Sequence, residues 1–185
     1  PSGRPEEAWY LDEMFYAQRY AWRQREAMMD RILESLADAV PSGWSEVDRV
    51  HCHHNYAEQF GELLLARKGA IAAGVGIRGI IPGSMGAETH VVTGLGCKEA
   101  YESAPHGAGR LMSRGQARKT LSVEEFKASM EGRTWQDRDA EKLIDEAPGA
   151  YKPIDVVMRD AASLVRSVAV LRQFINYKGV DAGRR

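Results

Sequence analysis

A histidine followed by a glycine-rich turn and two arginines is the strongest candidate for chemistry in this sequence. His106 opens the segment His-Gly-Ala-Gly, and Arg110 and Arg114 follow it. A neutral imidazole has a lone pair that can attack phosphorus, and glycines let backbone amides approach a phosphate. Arginine can offset charge in the transition state. The pattern predicts a phosphate-handling site, and the plainer alternative is a loop histidine that caps a helix.

Two other segments could bind a metal ion or an anion. Residues 51–54 (HCHH) offer ligands that suit zinc, manganese or iron, and residues 83–86 (GSMG) could present backbone amides to an anion. Alternate side chains of a strand face opposite sides, so the four residues of HCHH cannot form one complete metal site. The plainer alternatives are a polar strand end and an ordinary turn.

Composition limits the class of protein. The 185 residues carry a net charge of −1, and no apolar run approaches the roughly 18 residues that a membrane span needs. The start is polar and acidic, unlike a signal peptide, and two cysteines make no disulfide framework. We therefore expect a cytoplasmic protein. The charge argues against a general nucleic-acid coat protein, although the basic residues 110–119 are compatible with a phosphate-rich substrate.

Residues 5–40 have the pattern of a long helix, in which we expect a kink or a break because of its length. Apolar residues recur at three- and four-residue steps, and Pro41 and Gly43 end the segment. Its aromatic side chains could form a stacking surface for nucleic acid, but we expect them to pack in a core.

Short strands are predicted in the middle third, with many glycines between them that permit close approach of the backbone to a ligand. The alternation and β-branched residues predict these strands at 50–56, 63–68, 70–81 and 89–93.

The last third is predicted to be mostly helical. A helix over 110–119 would place Arg110, Arg114 and Arg118 on one face. Ser122 and Glu125 have the spacing of a capping box for a helix that runs to about Met130. Further predicted elements are a short acidic helix or turn over 138–146, an amphipathic helix over 154–171 and a closing strand over 173–178. Together the elements predict one α+β domain, with glycine-rich strands flanked by a long N-terminal helix and C-terminal helices.

Seven segments follow one another along the chain: CHHNY (52–56), ARKGA (66–70), IIPGSMGA (80–87), VVTGLG (91–96), HGAGRLMSR (106–114), IDEAPGAYKPID (144–155) and YKG (177–179). In this order they resemble the RtcB family of RNA ligases, specifically its C-terminal half. The succession of IPGSMG and HGAGR is highly specific. The resemblance implies the C-terminal part of an RtcB-like catalytic domain, with a helical segment at 1–41 and a nucleotide-binding core at 50–179.

The resemblance implies a GTP- and manganese-dependent ligase. Such an enzyme joins RNA ends bearing a 3′-phosphate or 2′,3′-cyclic phosphate to 5′-hydroxyl ends, in tRNA splicing or RNA repair. His106 would attack the α-phosphate of GTP and become guanylylated, and His54 would bind manganese. The residues that the resemblance implies at the nucleotide are Asn55, Ser84, Thr89 (in place of a more usual serine), Ala108, Tyr151 and Lys178, the last two at the guanine. Charge and spacing add Arg110 and Arg114 as residues that could bind phosphates of GTP or RNA.

The sequence also departs from the family. Family members are much longer, and their N-terminal half supplies further manganese ligands and guanine-recognising residues that are not present here. His54 alone is too few ligands for a metal ion. Three interpretations follow: the C-terminal part of an active ligase whose other half is removed, lost or encoded separately, a degenerate homologue that binds nucleotide or RNA without catalysis, or a non-enzymatic subunit that only supports a full-length partner. A helper protein is a further potential partner.

Overall fold

The computed structural model describes residues 5–40 and 42–179. These residues divide into two compact units. One consists of the described residues up to 49 together with 55–66, and the other of residues 50–54 together with those from 67 onward. Helices and small sheets are both present, which confirms the predicted mixture of α and β structure. No helix in this described part is long and apolar enough to cross a membrane.

The first unit contains a long helix and most of a two-stranded sheet. The helix α1 spans Pro5–Ala39, as the periodicity predicted, and it continues without the expected break. The sheet pairs β1 (Asn55–Phe60) with β2 (Leu63–Lys68). The side-chain oxygen of Gln18 accepts a hydrogen bond at 2.7 Å from the backbone amide of Ala57, which joins α1 to β1.

Two predictions for this part of the chain are wrong. The aromatic side chains of α1 do not pack in a core, because no residue of α1 is buried. Four of them are more than half exposed, namely Trp9, Tyr10, Tyr16 and Tyr20. Their spacing is helical, but burial also needs a facing surface, which the described residues do not provide. The strand predicted over 50–56 begins only at Asn55, since residues 50–53 lie outside any strand.

Two antiparallel sheets organise the second unit. β3 (Ala70–Ala72) pairs with β6 (Ser103–Pro105). The other sheet has β5 (Thr89–Gly94) at its centre, between β4 (Arg78–Pro82) and β7 (Val165–Leu171). β2 and β5 confirm the strands predicted at those positions.

The single strand predicted over 70–81 is two strands. The chain leaves β3, turns through Gly74 and Gly76, and then enters β4. Gly76 has a φ of +77°, a left-handed conformation that glycine adopts without steric cost. Apolar residues on both sides of this turn resemble one continuous strand, which explains the error.

The last part of the chain is less helical than predicted. Of the helix predicted over 154–171, only α5 (Ile154–Asp160) forms; after a turn the chain continues as β7 (Val165–Leu171). The valines of this segment suit either state, and hydrogen bonding to β5 decides for the strand. The closing strand predicted over 173–178 is also wrong, because Ile175 makes only an isolated bridge to Thr134.

Short helices follow the glycine-rich loop after β6. α2 spans Arg114–Thr120 and begins later than predicted, because the Ser113 side chain accepts a backbone hydrogen bond as its N-cap. α3 spans Val123–Ser129, and Ser122 and Glu125 form the predicted capping box. Each capping side chain satisfies a backbone amide that the first helical turn leaves without a partner.

Two apolar clusters form the core of the second unit. The first joins the sheets to α5 and contains Ile71, Ile81 and Ala108. The second surrounds Phe126 and includes residues of α4 (Ala140–Leu143), the short acidic helix predicted in that segment. Because Ala108 lies in the first cluster, the core anchors the glycine-rich loop.

Candidate functional site

His106 follows β6 directly, and the backbone of Gly69 holds its side chain. The ring atom Nδ1 lies 2.7 Å from the carbonyl oxygen of Gly69, and the backbone amide of His106 donates to the same oxygen at 3.3 Å. A carbonyl oxygen only accepts, so Nδ1 carries the proton and the lone pair of the neutral ring is on Nε2. His106 therefore has one defined nitrogen that can act as a nucleophile or a base.

Gly69 also links His106 to His54. The amide of Gly69 donates a hydrogen bond at 2.7 Å to the carbonyl oxygen of His54. Gly69 has a φ of +71°, which favours glycine. A Cβ at this position would lie 3.5 Å from Cε1 and Nδ1 of His106, an ordinary contact. The backbone conformation, rather than lack of space, thus requires glycine here.

The imidazole of His54 stacks on that of His106. The ring centroids are 5.1 Å apart and the planes differ by 11°. His51 and His53 stack on each other at 6.1 Å, and Cys52 packs against the first apolar cluster. His54 is thus the member of the HCHH segment whose ring lies against His106.

The described residues do not fit a complete manganese site. Within the described ranges, no group of three or more histidine, cysteine, aspartate or glutamate side chains is placed to hold a metal ion. A catalytic metal site typically uses about three protein ligands. His54 could supply one imidazole ligand beside His106.

Backbone hydrogen bonds hold the glycine-rich loop from two sides. The amide of Ala108 donates to the carbonyl oxygen of Pro82 at 2.9 Å. The amide of Lys152 donates to the carbonyl oxygen of Gly109 at 3.1 Å. A Cβ on Gly107 would approach the Pro82 oxygen to 3.1 Å, so glycine suits this close contact. The loop is fixed between the end of β4 and the segment before α5.

The guanidinium group of Arg110 binds protein groups. Nε donates to the carbonyl of Met112 at 3.1 Å, one terminal nitrogen donates to the Tyr151 hydroxyl at 2.9 Å, and the other donates to the carbonyl of Asp145. The guanidinium carbon also lies 4.8 Å from the centre of the Tyr151 ring, within cation–π range. Arg110 therefore positions Tyr151.

Glu146 connects two of the residues predicted at the guanine. It accepts hydrogen bonds from the Tyr151 hydroxyl at 2.6 Å and from the Lys178 ammonium at 3.1 Å. Burial raises the pKa of Glu146, but the hydrogen bonds from Tyr151 and Lys178 and the charges of Lys178 and Arg110 outweigh it, so the pKa is below its ordinary value. Glu146 is therefore ionised at neutral pH.

Tyr151 is the donor in its bond with Glu146. Burial, together with the hydrogen bond to Glu146 and its negative charge, raises the pKa of Tyr151 to about 12. The phenol consequently stays protonated at neutral pH.

A cavity of about 230 Å³ brings three predicted nucleotide residues together. Ser84, Tyr151 and Lys178 line it, together with Glu146. The side-chain amide of Gln173 donates to the carbonyl of Ser84 at 3.1 Å, which ties the GSMG turn to the chain after β7. The remaining lining residues are Pro82, Gly83, Met85, Gln173 and Asn176.

Three other residues predicted at the nucleotide, Asn55, Thr89 and Ala108, are not among those that line this cavity. Thr89 begins β5, opposite Pro82 of β4 and Leu171 of β7. Ala108 is buried in the glycine-rich loop. Asn55 begins β1 in the first unit.

Comparison with known proteins identifies the family. The family model described as "tRNA-splicing ligase RtcB" matches residues 1–179. The chain belongs to the RtcB family. The match confirms the resemblance seen in the seven segments and extends it to α1, which the segments do not cover.

Individual RtcB relatives agree with this assignment. The chain is 42% identical to RNA-splicing ligase RtcB of Escherichia coli (strain K12) over 182 residues, which cover 92% of this chain and 43% of the relative. Its identity to tRNA-splicing ligase RtcB of Aeropyrum pernix is 30% over 211 residues, with coverages of 97% and 43%. Its identity to tRNA-splicing ligase RtcB of Pyrococcus horikoshii is 28% over 201 residues, which cover 92% of this chain and 23% of the relative. The chain thus spans less than half the length of these relatives.

Two acidic residues of this RtcB chain contribute to the site, although the sequence did not predict them there. Asp145 and Glu146 lie within the RtcB-like segment IDEAPGAYKPID, but the motif comparison gives them no role. In the structure they accept the bonds that organise the nearby arginines, Tyr151 and Lys178. The sequence signal that could have indicated them is a pair of adjacent carboxylates, which can form ion pairs with three arginines spaced four residues apart.

Proposed function

We propose that this chain carries the nucleophile and part of the nucleotide pocket of a GTP- and manganese-dependent RNA ligase. Its substrates would be RNA 3′-phosphate or 2′,3′-cyclic phosphate ends and 5′-hydroxyl ends, in tRNA splicing or RNA repair. The names of the RtcB relatives support the class of RNA ligases. The observation that carries the proposal is the hydrogen bond from His106 Nδ1 to Gly69, because it leaves Nε2 to attack phosphorus.

The first step would place GMP on His106. Nε2 forms a bond to the α-phosphorus of GTP, and the bond from that phosphorus to the leaving pyrophosphate breaks. The ring becomes cationic as the bond forms. The carbonyl oxygen of Gly69 accepts the Nδ1 hydrogen bond throughout and stabilises the developing positive charge.

The later steps would transfer GMP and join the RNA ends. Water opens a cyclic end to a 3′-phosphate, and an oxygen of that phosphate attacks the phosphorus of the histidine adduct. The N–P bond breaks, and neutral His106 is restored. The 5′-hydroxyl oxygen then attacks the activated 3′-phosphorus and loses its proton, and GMP leaves.

The 230 Å³ cavity supports a nucleotide pocket, because Ser84, Tyr151 and Lys178 all line it. By resemblance, Tyr151 and Lys178 would close on the guanine, where the Lys178 ammonium suits the carbonyl oxygen. The resemblance adds three residues near the nucleotide: Asn55, Thr89 and Ala108. Arg110 would act by orienting Tyr151 through their hydrogen bond.

Manganese would polarise the phosphates as a Lewis acid. His54 would supply one ligand from its position against His106. Further ligands would come from the N-terminal half of the family, which the present sequence does not contain. That half, carried by the same polypeptide or by a separate one, is therefore expected to be needed for activity.

The test is covalent labelling of His106. We expect GTP labelled on its α-phosphate to label the chain when Mn²⁺ and a polypeptide carrying the N-terminal half of an RtcB relative are supplied. His106→Ala should abolish the label, because no other group replaces Nε2. Gel autoradiography measures the label, and its acid lability identifies a phosphoramidate.

His90→Ala is the matched control for this test. His90 lies on β5 with its Nδ1 2.9 Å from the Ser167 hydroxyl, so its loss should leave the label unchanged. Equal labelling of the His106→Ala variant would refute the nucleophile. No label under any complementation, with GTP or RNA binding retained, would favour a homologue that binds without catalysis or supports a partner subunit.

A further inference from the structure

A second, larger cavity adjoins the 230 Å³ cavity. Its volume is about 500 Å³, within the range of roughly 300–1,000 Å³ typical of ligand pockets. Glu146 and Lys178 line both cavities, so they form a shared wall. The other lining residues of the larger cavity are Arg114, Arg118, Lys142, Leu143, Asp145 and Gly179. A ligand in this cavity would lie next to a nucleotide in the smaller one.

The larger cavity has an excess of positive charge. Four cationic side chains and two carboxylates line it. Asp145 is buried, and it accepts a hydrogen bond from Arg118 at 3.0 Å and lies 3.6 Å from Arg114. The buried carboxylate holds both guanidinium groups in place, which reduces the entropy lost when they bind an anion.

Three of these cations remain open to solvent while they are held. The side chains of Arg114, Arg118 and Lys142 are 71%, 59% and 63% exposed. Lys142 is positioned by Asp139 at 3.0 Å. Arg110 differs, because all three of its guanidinium nitrogens donate to protein groups and its side chain is only 25% exposed.

We propose that the 500 Å³ cavity binds the phosphates of a single-stranded RNA end, with Arg118 and Lys142 as binding residues beside Arg114. Exposed cations that carboxylates hold in place suit a flexible polyanion. The shared wall of Glu146 and Lys178 brings the bound strand end beside the nucleotide cavity. The inference rests on the proposed ligase function and deepens it, since neither Arg118, Lys142 nor this cavity has a role by resemblance.

The test compares RNA binding by two double variants of the full chain. The probe is a short fluorescent single-stranded RNA with a 3′-phosphate, and fluorescence anisotropy gives its Kd over a series of salt concentrations. Arg118→Gln with Lys142→Gln, the glutamine pair, should weaken binding by about tenfold. It should also lower the salt slope, which is the slope of log Kd against log salt concentration, by roughly 1.4, at ~0.7 for each lost phosphate contact. Arg159→Gln with Lys127→Gln removes the same charges from exposed positions outside the cavity and should give the smaller, non-specific effect.

A charge-preserving pair separates electrostatics from damage to the fold. Arg118→Lys with Lys142→Arg should keep the salt slope of the unsubstituted chain. The proposal is overturned if the glutamine pair and its control bind RNA equally, if the unsubstituted chain does not bind the probe, or if poly-glutamate competes as well as RNA does.

Nucleotide labelling distinguishes failure of this inference from failure of the proposed function. Label on His106 with unchanged RNA binding by the glutamine pair rejects only the RNA cavity. Weakened RNA binding by that pair, with no label on His106 under any complementation, rejects GTP transfer and supports the cavity.

Discussion

At the scale of single residues, Glu146 is the group on which the predicted guanine-binding side chains depend. It accepts from Tyr151 and Lys178, and it lies 3.3 Å from Arg114 and 3.7 Å from Arg110. These partners are all cations or donors, so an ionised carboxylate is the form that fits. Loss of its charge should loosen Tyr151 and Lys178 together.

Glu146→Gln should destabilise the chain by about 1–3 kcal/mol at neutral pH, because charge-assisted hydrogen bonds are replaced by weaker neutral ones. The pKa of Glu146 is lowered in the folded state. Its stabilisation is therefore present above its ordinary value of about 4.3 and is lost as the pH falls through the lowered value. Urea unfolding at neutral and acid pH should show that the difference in free energy of unfolding between the unsubstituted chain and Glu146→Gln becomes smaller in acid.

Glu141→Gln provides the control, since Glu141 is an exposed glutamate in nearby α4. Its effect should be within about 0.5 kcal/mol. Equal destabilisation by the two substitutions would contradict the role given to Glu146. A destabilisation by Glu146→Gln that does not depend on pH would also contradict it.

At the scale of elements, local signals decide where the short helices begin. The Ser122 hydroxyl accepts from the Glu125 amide at 3.2 Å, and the Glu125 carboxylate accepts from the Ser122 amide at 3.1 Å. Both partners lie within one helical turn, so this cap forms without help from distant residues. The buried Phe126 of α3 then connects the helix to the second apolar cluster.

Ser122→Ala should destabilise the protein by about 1 kcal/mol, because it removes the acceptor of the N-cap. For a chain of this size that corresponds to a fall in Tm of about 2–4 °C, measurable by circular dichroism. Ser163→Ala, at an exposed position between α5 and β7, should change Tm much less. Equal shifts in the two variants would show that the capping box contributes little.

At the scale of the whole molecule, α1 exposes an apolar stripe. Met28, Ile32 and Leu36 are spaced four residues apart on one side of the helix, and each is more than two-fifths exposed. Exposed apolar surface of this kind tends to be covered by another polypeptide. Since the chain spans less than half of its RtcB relatives, we expect the rest of the RtcB polypeptide to cover this stripe.

We expect the chain by itself to self-associate through this stripe. Replacing Met28, Ile32 and Leu36 with glutamine should reduce the association, while the helix persists because glutamine is a good helix former. Sedimentation velocity measures the association and circular dichroism the helix.

The control for the stripe is Ala27→Gln with Ala37→Gln. These positions are exposed on the same helix and leave the three large apolar side chains in place, so association should continue. A monomeric unsubstituted chain that binds no hydrophobic dye would reject this explanation.

The sequence by itself determined the features that depend on neighbouring residues. The periodicity predicted α1, the Ser122–Glu125 spacing predicted the capping box, and the ordered motifs identified the RtcB family. Each of these signals lies within a short stretch of chain or within the order of such stretches. That is why one sequence was enough to find them.

Only the tertiary structure decided which distant groups meet. The valines after α5 became an edge strand because β5 offers hydrogen bonds to them. The lone pair of His106 is assigned to Nε2 because Gly69, 37 positions earlier, accepts from Nδ1. The pairing of each carboxylate with its partners was also decided by folding: Asp145 holds Arg118 and Glu146 holds Lys178, because ion pairs form where folding places opposite charges together.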